Sequence, residues 1–277
     1  MKKYLKDKFD PTNKTAVSVV DELPFWSAPF GKTLLGRVKM KPAMNVLDIG
    51  CGTGFPIIEL AGRLGDTSNL FGVDPWKTAT DRIKLKLKTY KIKNVALINC
   101  VAEELPFNNE FFDLIVSNNG INNVQDIKKV LSECYRVLKP KGQFVFTVNL
   151  YGTMAEFYDI FKMVLLDLGM NDEIQKMKEH MYEKRKPVKV MDKFVQKAGF
   201  EKVKKDKRFF SMRYLNGTTF LNHYPIKLHF LPEWKKILPE KKVEEIFDIL
   251  ENKLNEYAKQ NRELFLTIPY MCYIIEK

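Results

Sequence analysis

The chain has 277 residues, enough for one large domain with a substantial core or for a core with a small appended subdomain. Hydrophobic residues make up 45% and charged residues 29%, an ordinary globular balance, and no apolar run reaches the roughly 18 residues that a membrane helix needs. The formal charge of +12 raises the question of a nucleic-acid or anionic partner. However, the lysines are spread along the chain, and the densest run, Arg82 to Lys88 (RIKLKLK), reads as a solvated helix face. A nucleic-acid partner is therefore the lesser reading.

In chain order, the opening MKKYLKDKFDPTNK has basic residues but no apolar segment behind them, so it does not read as a secretory leader. The segment LPFWSAPFG (23–31) concentrates Phe25, Trp26 and Phe30. From residue 43 strands and helices alternate. AMNVLDIG (43–50) is a strand ending in a glycine turn, and FPIIELAGRLG has helical spacing. NLFGVD (69–74) is a strand, 78–90 a helix, NVALINC (94–100) a strand and FFDLIVSN (111–118) a strand. A helix over 126–138, stopped by Pro140 and Gly142, leads to QFVFTVN (143–149). This alternation predicts right-handed crossovers and a parallel sheet. After residue 150 the rhythm changes. Residues 151–186 read as helical, 188–198 as a helix followed by a strand near 201–206, and 211–263 as mostly helical. The end, LFLTIPYMCYIIEK, reads as a strand.

Cys51, Cys100, Cys134 and Cys272 are scattered without CxxC or metal-ligand spacing. They read as reduced structural thiols in the cytoplasm, with no metal site expected. The scatter also argues against an iron–sulfur enzyme.

The informative motif is VLDIGCGTG (46–54). Gly50, Gly52 and Gly54 let the backbone turn tightly and approach a ligand, and the helix that follows offers free N–H groups. Asp74, twenty residues past Gly54, ends the next strand, where a carboxylate can accept hydrogen bonds from both ribose hydroxyls. A glycine triplet alone is weak, since a tight turn without a ligand also explains it. Four more segments add to it: VD (73–74), AEELPF (102–107), FDLIVSNNGINNV (112–124) and ECYRVLKPKGQFVFT (133–147). Together, over about 43–149, they resemble the class I S-adenosylmethionine-dependent methyltransferases, the type 11 group typified by the ubiquinone and menaquinone biosynthesis enzymes. A nicotinamide dinucleotide is the rival ligand, but its fingerprint is GxGxxG and the spacing here is GxGxG.

The resemblance implies a Rossmann-like α/β fold: a seven-stranded, mostly parallel sheet with helices on both faces, its last strand antiparallel, plus helical lid insertions. It implies one methyltransferase domain over 1–277. The cofactor-binding core would take about 40–150 with 188–208 and 264–277, and the helical lid and acceptor region about 1–39, 151–187 and 209–263. It also implies roles. Asp48, through the turn it braces, with Gly50, Cys51 and Gly52, would hold the amino acid end of S-adenosylmethionine, and Gly54 completes the turn. Asp74 would hold the ribose, while Pro75 and Trp76 pack on the adenine, with core packing an equal alternative for Trp76. Ala102 would meet the adenine ring through its N–H, and Asn118 would lie beside the methionine moiety. The acidic residue that usually precedes the alanine is Val101 here, so Glu103 or water would take its place.

Methyl transfer from a sulfonium needs alignment and desolvation more than a catalytic group, and no catalytic constellation is evident. His223 and His180 are weak candidates for a base, with surface or structural histidines as the plain alternative. The loop Asn118, Asn119, Asn122 and Asn123 lacks the prolines of base-directed amino methyltransferases. Phe25, Trp26 and Phe30, with Phe157, Tyr158 and Phe161, are lid candidates, ordinary packing being the alternative. Tyr182, Lys184 and Arg185 could meet an anionic group, an exposed basic helix end being the alternative. The leading function is methyl transfer to a small organic molecule, with S-adenosylhomocysteine as product. A nucleic-acid or protein methyltransferase is one alternative, and a cofactor-binding sensor or partner without transferase activity is another.

Overall fold

The computed structural model describes residues 2–6, 9–21 and 25–277. Three short helices come first: α1 (Lys3–Lys6), α2 (Lys14–Asp21) and α3 (Ala28–Leu35). The alternating stretch then runs β1 (Asn45–Ile49), α4 (Ile57–Leu64), β2 (Asn69–Val73), α5 (Lys77–Tyr90), β3 (Val95–Ile98), β4 (Phe112–Asn118), α6 (Ile127–Val137) and β5 (Leu138–Asn149). Beyond it lie α7 (Ala155–Asp167), α8 (Asn171–Lys184), α9 (Val188–Lys197), β6 (Lys202–Tyr214), α10 (Gly217–Asn222), α11 (Leu231–Ile237), α12 (Val243–Asn261) and β7 (Leu264–Glu276).

The strands form one seven-stranded sheet in the order β3-β2-β1-β4-β5-β7-β6. The pairs among β1 to β5 are parallel, and β7 runs antiparallel to β5, Gln143 facing Glu276 and Asn149 facing Tyr270. This is the expected α/β class. The apolar runs VLDI, LIVS and FVFTV are buried throughout, as a parallel sheet covered on both faces requires. Asp126 starts α6 by accepting from the N–H groups of Lys128 and Lys129 at 2.9 and 3.1 Å.

The chain divides into two compact units. The sheet unit comprises Pro11–Asn149, Pro187–Arg208 and Tyr270–Lys277. Its core joins Leu34 and Leu35 of α3 to Val46, Leu70, Leu114 and Val145 of the strands. The helical unit comprises Met1–Asp10, Leu150–Lys186 and Phe209–Pro269. There Phe157 stacks on Trp234 with ring centroids 4.0 Å apart, and α12 buries Ile246, Phe247, Leu250 and Leu254. Glu251 is buried with it, accepting from Tyr4 Oη at 2.8 Å and Thr218 Oγ1 at 2.6 Å, and Lys2 Nζ lies 3.0 Å away.

Several boundaries differ from the sequence reading. Residues 11–39, grouped there with the helical region, fall in the sheet unit, because Phe30, Leu34 and Leu35 are buried in its core. β5 begins at Leu138, before the Pro–Gly segment, and β6 continues to Tyr214. Among the described residues no helix is long and apolar enough to cross a membrane, and no group of His, Cys, Asp and Glu is placed to hold a metal ion.

Candidate functional site

The site lies at the carboxyl ends of β1, β2 and β4, within the sheet unit. After Ile49 the backbone turns through Gly50, Gly52 and Gly54, with φ of 71°, 50° and 114°. The N–H groups of Gly50 and Cys51 both donate to Val73 O, at 2.9 and 3.2 Å, pinning the turn to the end of β2. Gly50 also passes close to the loop after β4: a Cβ there would lie 2.9 Å from Gly120 Cα. Gly52 differs, for a Cβ there would meet nothing within 4 Å. Gly50 thus serves backbone packing, whereas Gly52 faces open space.

Asp74 organises the rim. Its Oδ2 accepts from Gly52 N at 2.9 Å and its Oδ1 from Trp76 N at 2.8 Å. Burial raises its carboxyl pKa above the ordinary value, and the two amide donors offset only part of the rise. Asn99, which the motif reading passed over, donates its side-chain amide to Asp74 O at 2.6 Å. Pro75 is exposed and Trp76 half-buried, with Trp76 Nε1 donating to Pro11 O at 2.7 Å.

Asp48 is fully buried, and neither carboxylate oxygen has a hydrogen-bond partner. The expected brace is therefore not a hydrogen bond from Asp48 to the turn. The bonds to Val73 O and Asp74 perform that task. Burial raises the Asp48 carboxyl well above its ordinary range, the nearby Asp74 charge raises it further, and the Ile57 amide tempers the rise from outside hydrogen-bonding geometry. Cys51 is buried beside these two carboxylates, and burial pushes its thiol up. All four cysteines are free.

Ala102 is buried, Val101 is exposed, and Glu103 is half-buried. One Glu103 oxygen, Oε1, accepts from the backbone N–H of Gln125 and Asp126 at 2.8 and 3.1 Å, tying the β3–β4 connection to the start of α6. Asn118 is buried and fixed from both ends: Thr147 Oγ1 donates to its Oδ1 at 3.1 Å, and its Nδ2 donates to Ser27 O at 3.1 Å. The next residue, Asn119, has φ 63° and accepts from Asn149 N at 3.2 Å. Asn122 bonds both Asn119 and Asn149. The asparagine-rich loop is thus a cross-bonded network that includes Asn149, which periodicity alone assigned to a strand end.

Part of the basic run Arg82 to Lys88 also belongs to this neighbourhood. Asp21 of α2 accepts from Arg82 Nε at 2.9 Å and Lys86 Nζ at 2.5 Å, and the same Nζ donates to Thr53 O in the glycine turn at 2.8 Å. The solvated-face reading fails for these two cations, because i and i+4 positions share one helix face and α2 lies against it. Burial pushes the Asp21 carboxyl up, but Lys86 and Arg82 pull it below its ordinary value.

The lid candidates divide between the units. Phe30 is fully buried in the sheet unit against Trp26 and Tyr270, with centroids at 5.7 and 4.8 Å, and Phe25 is exposed. Leu23 and Pro24 of that segment lie outside the described residues. Phe157, Tyr158 and Phe161 are core residues of the helical unit. His223 and His180 also belong to the helical unit, and burial lowers the pKa of each. His223 Nδ1 lies 2.9 Å from Tyr214 Oη.

Comparison with known proteins accords with this geometry. Residues 47–146 match the family described as "Methyltransferase domain". The demethylmenaquinone methyltransferase of Oceanobacillus iheyensis is 32% identical over 142 residues, 50% of this chain and 60% of that protein. That of Bacillus mycoides is 31% identical over 153 residues, 55% of this chain and 62% of its own length. The chain thus matches about three-fifths of the length of these curated relatives. The YcgJ protein of Bacillus subtilis shares the fold with TM-score 0.60 at 16% identity, covering 90% of this chain and 98% of its own. Haemonchus contortus phosphoethanolamine N-methyltransferase 2, solved with S-adenosyl-L-methionine, does so with TM-score 0.59 at 17% identity, covering 95% of this chain and 57% of its own. The [4+2]-cyclase SpnF shares it with TM-score 0.52 at 13% identity, covering 89% of this chain and 79% of its own.

The sheet order and the turn after β1 define a class I, Rossmann-like methyltransferase fold. Residues 47–146 match the methyltransferase domain family, and over this part of its length the chain is similar to curated methyltransferases.

Proposed function

We propose that this chain transfers a methyl group from S-adenosylmethionine to a small organic molecule. The observation that carries the reading is the Gly52–Asp74 pair: an N–H held by a carboxylate, on a glycine whose side-chain position opens into free space. Three features fit that cofactor. The open cradle at Gly52 admits its amino acid end. Each Asp74 oxygen accepts one amide and keeps a lone pair for a ribose hydroxyl. The Asp48 carboxyl, buried beneath the turn without a partner, is a polar group whose burial favours the neutral form and whose ionisation an approaching ammonium or sulfonium charge would favour.

When bound, S-adenosylmethionine supplies a methyl group already activated by its sulfonium. The chain's own residues orient and exclude water. Gly50, Cys51, Gly52 and Gly54 shape the cradle, and Trp76 and Pro75 offer a flat apolar surface for adenine. Ala102 offers its backbone N–H, and Glu103 keeps Oε2 free while Oε1 holds α6. Asn118, locked by Thr147 and Ser27, presents a fixed amide beside the turn. Phe25 and Trp26, which precede Ser27, cover this side, and Trp26→Ala then weakens cofactor binding.

Calorimetry with S-adenosylhomocysteine tests the reading. The wild-type protein binds it, and Asp74→Ala loses at least about tenfold in affinity, equivalent to about 1.4 kcal/mol. Absence of binding by the wild-type protein overturns the proposal. A second reading, cofactor binding without methyl transfer, draws support from the cyclase that shares this fold. It predicts bound cofactor but no S-adenosylhomocysteine release with a panel of phenols, quinols, amines and carboxylates. We also infer a reducing, cytoplasmic setting, which the four free thiols support.

A further inference from the structure

The helical unit contains a buried cation with no counter-ion among the described residues. Arg185 ends α8, its N–H donating to Met181 O at 3.1 Å, and only 3% of its surface is exposed. No carboxylate pairs with it among the described residues. Its Nη1 donates to Tyr158 Oη at 3.3 Å, and its Nε is buried with no partner. The guanidinium carbon lies 5.7 Å from the Tyr158 ring centroid. Glu233 of α11, an acid of this unit, is taken by Lys236 Nζ at 2.6 Å. The earlier picture of an exposed basic helix end does not hold for Arg185.

The hydrogen-bond inventory is one-sided. Trp234 Nε1 also donates to Tyr158 Oη, at 3.0 Å. A phenol oxygen accepts two hydrogen bonds and carries one proton. Arg185 and Trp234 fill both acceptor positions, so the Tyr158 hydroxyl proton is left over. Trp234 and Tyr158 are themselves almost fully buried. The three side chains of Arg185, Trp234 and Tyr158 therefore hold a surplus of donors and a full positive charge, and the acceptor among them, the Tyr158 oxygen, is saturated. The unspent guanidinium edge, Nε with Nη2, is the one that makes two parallel bonds to a planar carboxylate or a phosphate. Lys184 and Lys186 flank Arg185 in sequence and add positive potential.

We propose that Arg185 and Tyr158 form an oxoanion-binding site for a small organic molecule bearing a carboxylate or a phosphate monoester. Arg185 provides the bidentate edge and Tyr158 the additional donor, with Trp234 fixing the phenol oxygen. Binding at this site stands independently of the methyltransferase reading above.

The experiment titrates the full chain with inorganic phosphate and, separately, with benzoate, at constant ionic strength maintained with chloride. Thermal shift and calorimetry read the result. The wild-type protein shows saturable stabilisation by at least one anion, and the tighter arm identifies phosphate or carboxylate as the ligand chemistry. Arg185→Met weakens that binding at least tenfold and, without anion, melts no lower than wild type, because it removes an uncompensated buried charge. Should that variant not fold, Tyr158→Phe, which keeps the guanidinium, weakens binding several-fold. S-adenosylhomocysteine affinity, measured on the same samples, is unchanged in both variants. A wild-type protein without a saturable response, or an Arg185→Met variant that keeps it, overturns this proposal. Failure of the wild-type protein to bind S-adenosylhomocysteine counts against the methyltransferase reading instead.

Discussion

Two glycines of one turn serve different ends, and a pair of alanine substitutions separates them. Both have left-handed φ, which costs an L-residue about 1–2 kcal/mol. At Gly50 the new Cβ also meets backbone, Gly120 Cα at 2.9 Å, and neither chain segment can yield. Gly50→Ala is expected to lose about 3 kcal/mol or more by chemical denaturation. Gly52→Ala loses only about 1–2 kcal/mol of stability while weakening S-adenosylhomocysteine binding, since its methyl group enters the cradle. Asp48 gives a pH test. Burial raises its folded pKa above the unfolded value near 3.9, so the folded state holds the proton more tightly. Its contribution to stability is most favourable on the acid side of that value and is lost as pH rises toward the folded pKa. In the cofactor-free protein, Asp48→Asn is therefore expected to gain on wild type as pH rises from about 4. Denaturation curves across that range check it, and a variant weaker than wild type at every pH would show the carboxylate to be structural.

At the scale of elements, α2 is joined to α5 and to the glycine turn through a single carboxylate. Asp21, nearly buried, serves Arg82 and Lys86, and Lys86 passes the connection to Thr53 O. Asp21→Asn leaves two cations without a partner and is expected to cost about 1–3 kcal/mol, short of the full penalty because both remain partly solvated. Hydrogen exchange in α2 should quicken and cofactor affinity should fall, whereas a purely superficial pair would change neither. Nothing in the sequence marks Asp21, because its partners lie more than sixty positions away. The glycine turn, Asp74 and the strand–helix alternation were legible for the opposite reason: local backbone demands and strict periodicity write themselves into consecutive residues. The short α1 to α3 were not legible, being brief and stabilised by contacts distant in sequence. Arg185 read as exposed because a Lys-Arg-Lys run looks solvated until Tyr158 and Trp234, from α7 and α11, close on it.

At the scale of the whole molecule, the charge of +12 opposes compaction through self-repulsion. Raising sodium chloride from about 10 to about 200 mM shortens the Debye length from roughly 30 Å to under 10 Å, so the melting temperature should rise. A flat or falling response would mean that the ion pairs outweigh the repulsion. Each unit is stitched from three separate stretches of chain, so neither corresponds to a continuous piece of sequence. The sheet order adds a constraint of time. β6 is synthesised before α10 to α12, yet its neighbour is β7, which follows them and lies between β5 and β6. On the ribosome β6 therefore emerges without a partner and waits through several helices for it. A polar, mostly exposed strand such as KVKKDKRFF can wait in water without seeking another chain to pair with.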